Sequence, residues 1–146
     1  MNTGERLTVL YRTQIIEREP SRCWAIRATS GPLGRAIAWD RLQSTFLPRA
    51  GRRFYGLLLH GCETPVYYAA VDYVRGLGAL PAGIQQLRVD AGTFVCIPIR
   101  ESQARTDCIN RHIERIRLRY ETVPGRFILE CFKGDGGMHL MVPVQL

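Results

Sequence analysis

Residues 125–133 read Gly-Arg-Phe-Ile-Leu-Glu-Cys-Phe-Lys, and Glu130 is a lone carboxylate in the middle of an apolar run. If the run is a strand, side chains alternate, so Ile128, Glu130 and Phe132 share one side and Phe127, Leu129 and Cys131 the other. An acid on an oily face either takes up a proton or costs several kcal/mol unless a cation answers it. Three arrangements resolve this: an exposed edge position, pairing with an arginine of the chain such as Arg27 or Arg88, or a positively charged ligand. Cys131 beside the acid is a poor nucleophile, because apolar surroundings raise a thiol's pKa.

Other chemistry is thinly represented. The chain has no Gly-x-Ser-x-Gly, no glycine-rich phosphate loop and no His-Glu-x-x-His. Glu63, Asp72, Glu101, Glu114 and Glu130 form no readable acid/base pair, and His60, His112 and His139 are scattered. The expectation is therefore no catalytic residue. The five cysteines are spread through apolar stretches without a Cys-x-x-Cys pair, as reduced core residues would be. His60-Gly61-Cys62 is the nearest approach to a metal pattern and lacks a second ligand cluster, so neither a metal nor another cofactor is expected.

The rings that strands and helix faces would set around the acid are Trp24, Trp39, Tyr55, Tyr67, Tyr68, Tyr73, Phe94, Phe127 and Phe132. Most belong to a core. Flat rings beside a carboxylate also suit an amphipathic cation, since ring faces attract positive charge.

The elements that must position these residues read as follows. Segment 7–19 is a strand, Pro20-Ser21 a tight turn and 22–28 a second strand, together a β-hairpin. Thr29-Ser30-Gly31-Pro32 opens a helix; Leu33, Ile37, Leu42 and Phe46, with Ala36 and Trp39 beside them, keep helical spacing until Pro48 stops it. Strands follow at 53–60 and 66–74. Segment 75–90, with three glycines and Pro81, links two halves. A strand at 91–99, a helix at 102–120 with Ile109, Ile113, Ile116 and Tyr120 on one stripe, and strands at 126–132 and 138–144 complete the chain. Strand, helix, strand, strand thus occurs twice, as a repeat of pattern rather than of residues. The predicted fold is α+β: two pseudo-symmetric β-α-β-β units form an antiparallel sheet with two long helices and a central ligand cleft. Residues 1–146 make one domain, with unit one at about 7–74, a linker at about 75–90 and unit two at about 91–146.

The formal charge of +7 is almost all arginine, and Arg105, Arg111, Arg115, Arg117 and Arg119 alternate with apolar residues as a solvated helix face would. Each predicted helix is separated from the other by strands, which excludes a helix-turn-helix. No apolar run approaches the ~18 residues of a membrane span, and no signal-peptide pattern opens the chain. A cytoplasmic protein is expected.

Ala25-Ile26-Arg27-Ala28-Thr29-Ser30-Gly31-Pro32, Ala38-Trp39-Asp40-Arg41-Leu42, Tyr68-Ala69-Ala70-Val71-Asp72, Leu87-Arg88-Val89-Asp90-Ala91-Gly92-Thr93-Phe94 and Phe127-Ile128-Leu129-Glu130-Cys131-Phe132, in this order, resemble the gyrase-inhibitory-protein-like effector-binding domain. That domain also occurs attached to AraC-type and MerR-type multidrug-responsive regulators. The resemblance implies two β-α-β-β units around a ligand cleft, with Glu130 in the pocket two places before an aromatic, and Gly92 before the second unit's first strand. Pro98-Ile99-Arg100-Glu101 and Leu118-Arg119-Tyr120-Glu121 depart from the family pattern at positions bordering the cleft. The expected ligand-binding set is Glu130, Phe132, Ile128, Trp39, Tyr55, Tyr68, Phe94 and Met141, around a hydrophobic, cationic small molecule that is sensed or sequestered. Alternatives are hydrolysis of reactive electrophiles by the cleft glutamate, and modulation of gyrase through protein contacts. Expected partners are the ligand and a separate regulator or gyrase, with no direct DNA reading, no membrane, and a monomer or homodimer.

Overall fold

A computed structural model describes residues 13–46, 51–59, 65–76, 78–101, 106–134 and 136–146. The described elements are β1 (Gln14–Arg18), β2 (Ser21–Arg27), α1 (Gly34–Thr45), β3 (Phe54–Leu59), β4 (Val66–Asp72), β5 (Ile84–Val89), β6 (Gly92–Ile99), α2 (Thr106–Arg119), β7 (Glu121–Thr122), β8 (Phe127–Phe132) and β9 (Met138–Gln145). The class is α+β. The strands form one sheet in the order β1-β6-β9-β8-β3-β4-β2-β5, all pairings antiparallel, with β7 laid against the end of β9.

This order overturns the N-terminal hairpin. β1 pairs with β6, placing Ile16 opposite Phe94, whereas β2 pairs with β4 and β5. The connector Glu19-Pro20 does not reverse the chain, because proline pushes the residue before it into an extended conformation. Segment 75–90 is likewise more than a linker: its Ile-Gln-Gln-Leu-Arg-Val run forms β5 on the outer side of β2.

Those two corrections dictate the shape of the sheet. β1 and β2 stand six places apart in the order, which in a flat sheet would separate them by about 29 Å at ~4.8 Å per strand. Arg18 and Ser21 are only three residue steps apart, a reach of at most ~11 Å. The same holds for β5 and β6, also six places apart in the order and joined by Asp90-Ala91. The sheet therefore curls until its ends approach, while β1 and β5 remain its edges.

Curling gives the sheet two buried faces. Inside the curl, Cys23, Ala25, Tyr55, Leu57, Ala70, Val89, Phe94 and Leu129 pack together, with Ile16, Tyr68 and Met141 beside them. On the other face α1 lies over β2 and β4, and α2 lies over β7 and β9. Ile109, Ile113 and Ile116 of α2 join Val95, Ile97, Leu140 and Val142 there, with Tyr120 packed against the cluster.

Helix α1 buries a different stripe from the predicted one. Ala38, Leu42 and Phe46 face the sheet at a spacing of four, while Leu33 and Ile37 are 67% and 51% exposed. Its N-cap is Leu33, without a side-chain cap, so neither Thr29 nor Ser30 plays that part. The entry is set instead by Gly34, where an added Cβ would run into the Thr29 carbonyl.

Candidate functional site

β3 and β8 adjoin at the centre of the helix-covered face, where Leu58 and Ile128 join the cluster packed under α2. Glu130 sits on this face beside them. Its Cα partners are Gly56 on β3 and Leu140 on β9, and its side chain is 3% exposed. The carboxylate lies over Gly56, the one place where its neighbour has no side chain to oppose it. A Cβ on Gly56 would stand inside van der Waals contact with both Glu130 Oε1 and Tyr67 Oη. Gly56 is thus the vacancy in which these two groups meet.

Tyr67, on β4, donates its hydroxyl to Glu130 Oε1 at 2.8 Å. Helix α1 reaches the pair with two residues one turn apart: Trp39 Nε1 donates to Tyr67 Oη at 3.2 Å, and the Arg35 guanidinium lies 4.1 Å from the Tyr67 ring centroid. Burial raises the pKa of Glu130; the Tyr67 hydrogen bond and the Arg35 charge oppose that rise. Burial, then the adjacent carboxylate, holds the Tyr67 phenol protonated far above its ordinary range. Among the described residues no arginine or lysine forms an ion pair with Glu130. Arg88 pairs with Asp90 at 3.5 Å in solvent, and Arg27 points away from the helix face.

Trp39 also walls an open groove of about 650 Å³, lined further by Phe54, Phe132, Arg52, Arg53 and Lys133. The Trp39 ring meets Phe132 edge-on at 5.2 Å and Phe54 at 6.5 Å. Glu130 does not line this groove; the contacts run from the groove through Trp39 and Tyr67 to the acid.

Of the eight expected site residues, the structure places Glu130, Ile128, Phe132 and Trp39 on the helix-covered face. Ile128 is buried beneath α2, and Phe132 and Trp39 form the groove wall. Tyr55, Tyr68, Phe94 and Met141 lie on the opposite face, inside the curl, so they do not meet the acid in this structure. Tyr68 packs edge-on against Phe127 at 5.9 Å there. Gly56 and Arg35 are the residues the sequence reading passed over; Tyr67 was named among the rings but not in the expected binding set. The signal for Gly56 was a lone glycine inside an apolar strand, which marks a close approach.

The remaining titratable groups fit packing. Burial pushes the Cys131 thiol up to about 11, and Cys23 likewise, so neither presents a thiolate. Burial, followed by Arg115 and Arg111, lowers the pKa of His112, leaving it neutral on α2. His60 and Cys62 lie outside the described residues. Among the described residues no cluster of three metal-ligating side chains occurs, and no helix is long and apolar enough to cross a membrane.

No protein-family model matches the sequence, and no curated protein does. Solved structures do match. An integron cassette protein from the mobile metagenome of Vibrio cholerae aligns over 91% of this chain and 95% of its own, with TM-score 0.69 and 15% identity. The EcmrR C-terminal domain aligns over 91% and 96%, with TM-score 0.64 and 10% identity. SAV2435, solved bound to tetraphenylphosphonium, aligns over 91% and 93%, with TM-score 0.58 and 13% identity. At these identities the likeness is one of fold: the chain folds as the EcmrR C-terminal domain and the tetraphenylphosphonium-bound SAV2435 do, consistent with the effector-binding resemblance.

Proposed function

We propose that the chain binds hydrophobic cations between α1 and α2, over the β3–β8 seam, with Glu130 as counter-charge, for sensing or sequestration. The observation that carries this reading is the acid itself: 3% exposed, held by a tyrosine, and without an ion-pair partner among the described residues. A buried carboxylate answered by one hydroxyl and the Arg35 charge, without a salt bridge, is still costly to ionise, and a cation that enters beside it offsets that cost. Trp39, Phe54 and Phe132 supply ring faces on the way in. The tetraphenylphosphonium held by SAV2435, a protein of the same fold, supports the ligand class.

The two-unit organisation belongs to the same proposal. Outward from the seam the order is β3-β4-β2 on one side and β8-β9-β6 on the other, in each case the second, third and first strand of a β-α-β-β unit. Each unit's outer strand then receives an additional strand from the other half of the chain, β5 on β2 and β1 on β6. This strand order supports reading the seam as a pseudo-twofold axis with the cleft at its opening. Hydrolysis fits less well, since Oε1 already accepts from Tyr67 and the acid is shielded from water.

The test is a titration of methyltriphenylphosphonium against neutral triphenylphosphine oxide, following Trp39 quenching in a Trp24→Phe background. Glu130→Gln is expected to weaken the cation about 10–30-fold while leaving the neutral compound within about twofold. Equal losses for both would remove the charge argument.

A further inference from the structure

Arg35 sits where its own helix disfavours it. It is the second residue of α1, directly after Gly34, and the first turn of that helix carries no acid. Helix N-termini are electropositive, so an acid would be the locally stable choice there and a guanidinium works against the dipole. A residue that breaks a local rule is compensated by a contact outside its element. For Arg35 that contact is the Tyr67 ring, whose centroid lies 4.1 Å from the guanidinium carbon. Its charge also favours the ionised form of Glu130.

The tie is nevertheless loose. Glu130 and Tyr67 are buried and joined at 2.8 Å, and Trp39 donates to the same phenol oxygen. Arg35 is half-buried, makes no ion pair with the acid, and meets the pair through a ring face. Such a cation–π contact is worth about 2–30-fold in an equilibrium constant. The seat of α1 does not depend on it, because the helix packs through Ala38, Leu42 and Phe46. The side chain can therefore swing into solvent while the helix stays in place.

A ligand cation entering beside Glu130 meets Arg35 at once. Both would share one carboxylate, and two like charges in a poorly hydrated site repel strongly. We propose that Arg35 is a resident, displaceable counter-cation of Glu130: it lies on Tyr67 in the ligand-free chain and is driven into solvent when a ligand cation enters. The proposal rests on the cation-binding reading of Glu130 and deepens it by naming the residue that sets its threshold. A small hydrated cation offers the acid little that Arg35 does not already supply, whereas an aromatic cation adds apolar area and prevails.

The test is calorimetry of methyltriphenylphosphonium, with neutral triphenylphosphine oxide alongside, on the wild-type chain, Arg35→Gln, Arg35→Lys and Glu130→Gln. Glutamine removes the charge and remains a good helix former. Arg35→Gln is expected to bind the phosphonium about 5–20-fold tighter than the wild type while the oxide stays within about twofold. Arg35→Lys, which keeps the charge on a poorer ring contact, falls between the two. Unchanged or weaker phosphonium binding by Arg35→Gln overturns the proposal; weakening is what an arginine that only supports the ionised acid would give. An equal gain for phosphonium and oxide also overturns it, since space rather than charge would then be the cause. If Glu130→Gln still weakens the phosphonium in those cases, cation binding stands without a part for Arg35. Phosphonium binding indifferent to Glu130→Gln, or absent from both the wild type and Arg35→Gln, overturns both.

Discussion

Gly56→Ala is expected to lower the unfolding free energy by about 2–5 kcal/mol, a cost set by overpacking and by the disruption of a buried hydrogen bond. The added methyl would occupy the position in which Tyr67 Oη and Glu130 Oε1 meet, and the register holding Gly56 opposite both Glu130 and Ala69 leaves the backbone no simple retreat. One of the two polar groups must swing away, into a face otherwise filled by Leu58, Ile128 and Leu140. The cycle with Tyr67→Phe isolates the cause. Removing the hydroxyl takes away the tightest of the three contacts and leaves the ring Cζ at 2.9 Å and Glu130 Oε1, so Gly56→Ala should cost about 1 kcal/mol less in the Tyr67→Phe background than in the wild type. Urea unfolding of the four proteins measures this; strict additivity would mean that the glycine serves only the backbone.

The same residue illustrates what the sequence does and does not disclose. The strand around Glu130 was readable because an acid among apolar residues stands out whatever its partners are, and the α2 stripe because Ile109, Ile113 and Ile116 repeat at helical spacing over a polar background. Alternation also separates Ile128, Glu130 and Phe132 from Phe127, Leu129 and Cys131 within β8. It does not say which face of a neighbouring strand joins them. Tyr67 and Tyr68 are adjacent, both aromatic, and point to opposite faces; only the pairing of Tyr67 with Leu58 across β3–β4 fixes the choice. Ordinarily polarity would decide, but the curl buries both faces of the central strands, so Tyr55, Phe94 and Met141 look as well suited to a pocket as to a core. The curl in turn depends on β1 joining β6 and β5 joining β2, contacts between residues far apart in the chain that no local pattern encodes. Gly56 was absorbed into an apolar run, although its missing side chain is what admits the carboxylate.

Glu130→Gln is expected to stabilise the ligand-free chain, and to do so increasingly as pH rises. Burial raises the pKa of Glu130 in the folded state, so the folded chain holds this proton more tightly than the unfolded chain does. The residue's contribution to stability is full below the ordinary carboxylate pKa and is lost as pH climbs through the folded value, at about 1.4 kcal/mol per pH unit between the two. Glutamine keeps an oxygen to accept from Tyr67 and carries no charge to desolvate. Thermal or urea unfolding should therefore give nearly coincident stabilities for the two proteins at pH 4, with Glu130→Gln gaining progressively on the wild type as pH rises toward 8. Parallel curves across that range would mean that the acid is neutralised within the fold, and would remove the need for a cationic guest. The same linkage ties stability to binding. A cation that requires the ionised acid must expel whatever proton Glu130 still carries, so wild-type binding should strengthen with pH and release a fraction of a proton, measured by calorimetry in buffers of different ionisation enthalpy. Glu130→Gln should show neither effect, because the group that makes the empty cleft costly is the one that makes it selective.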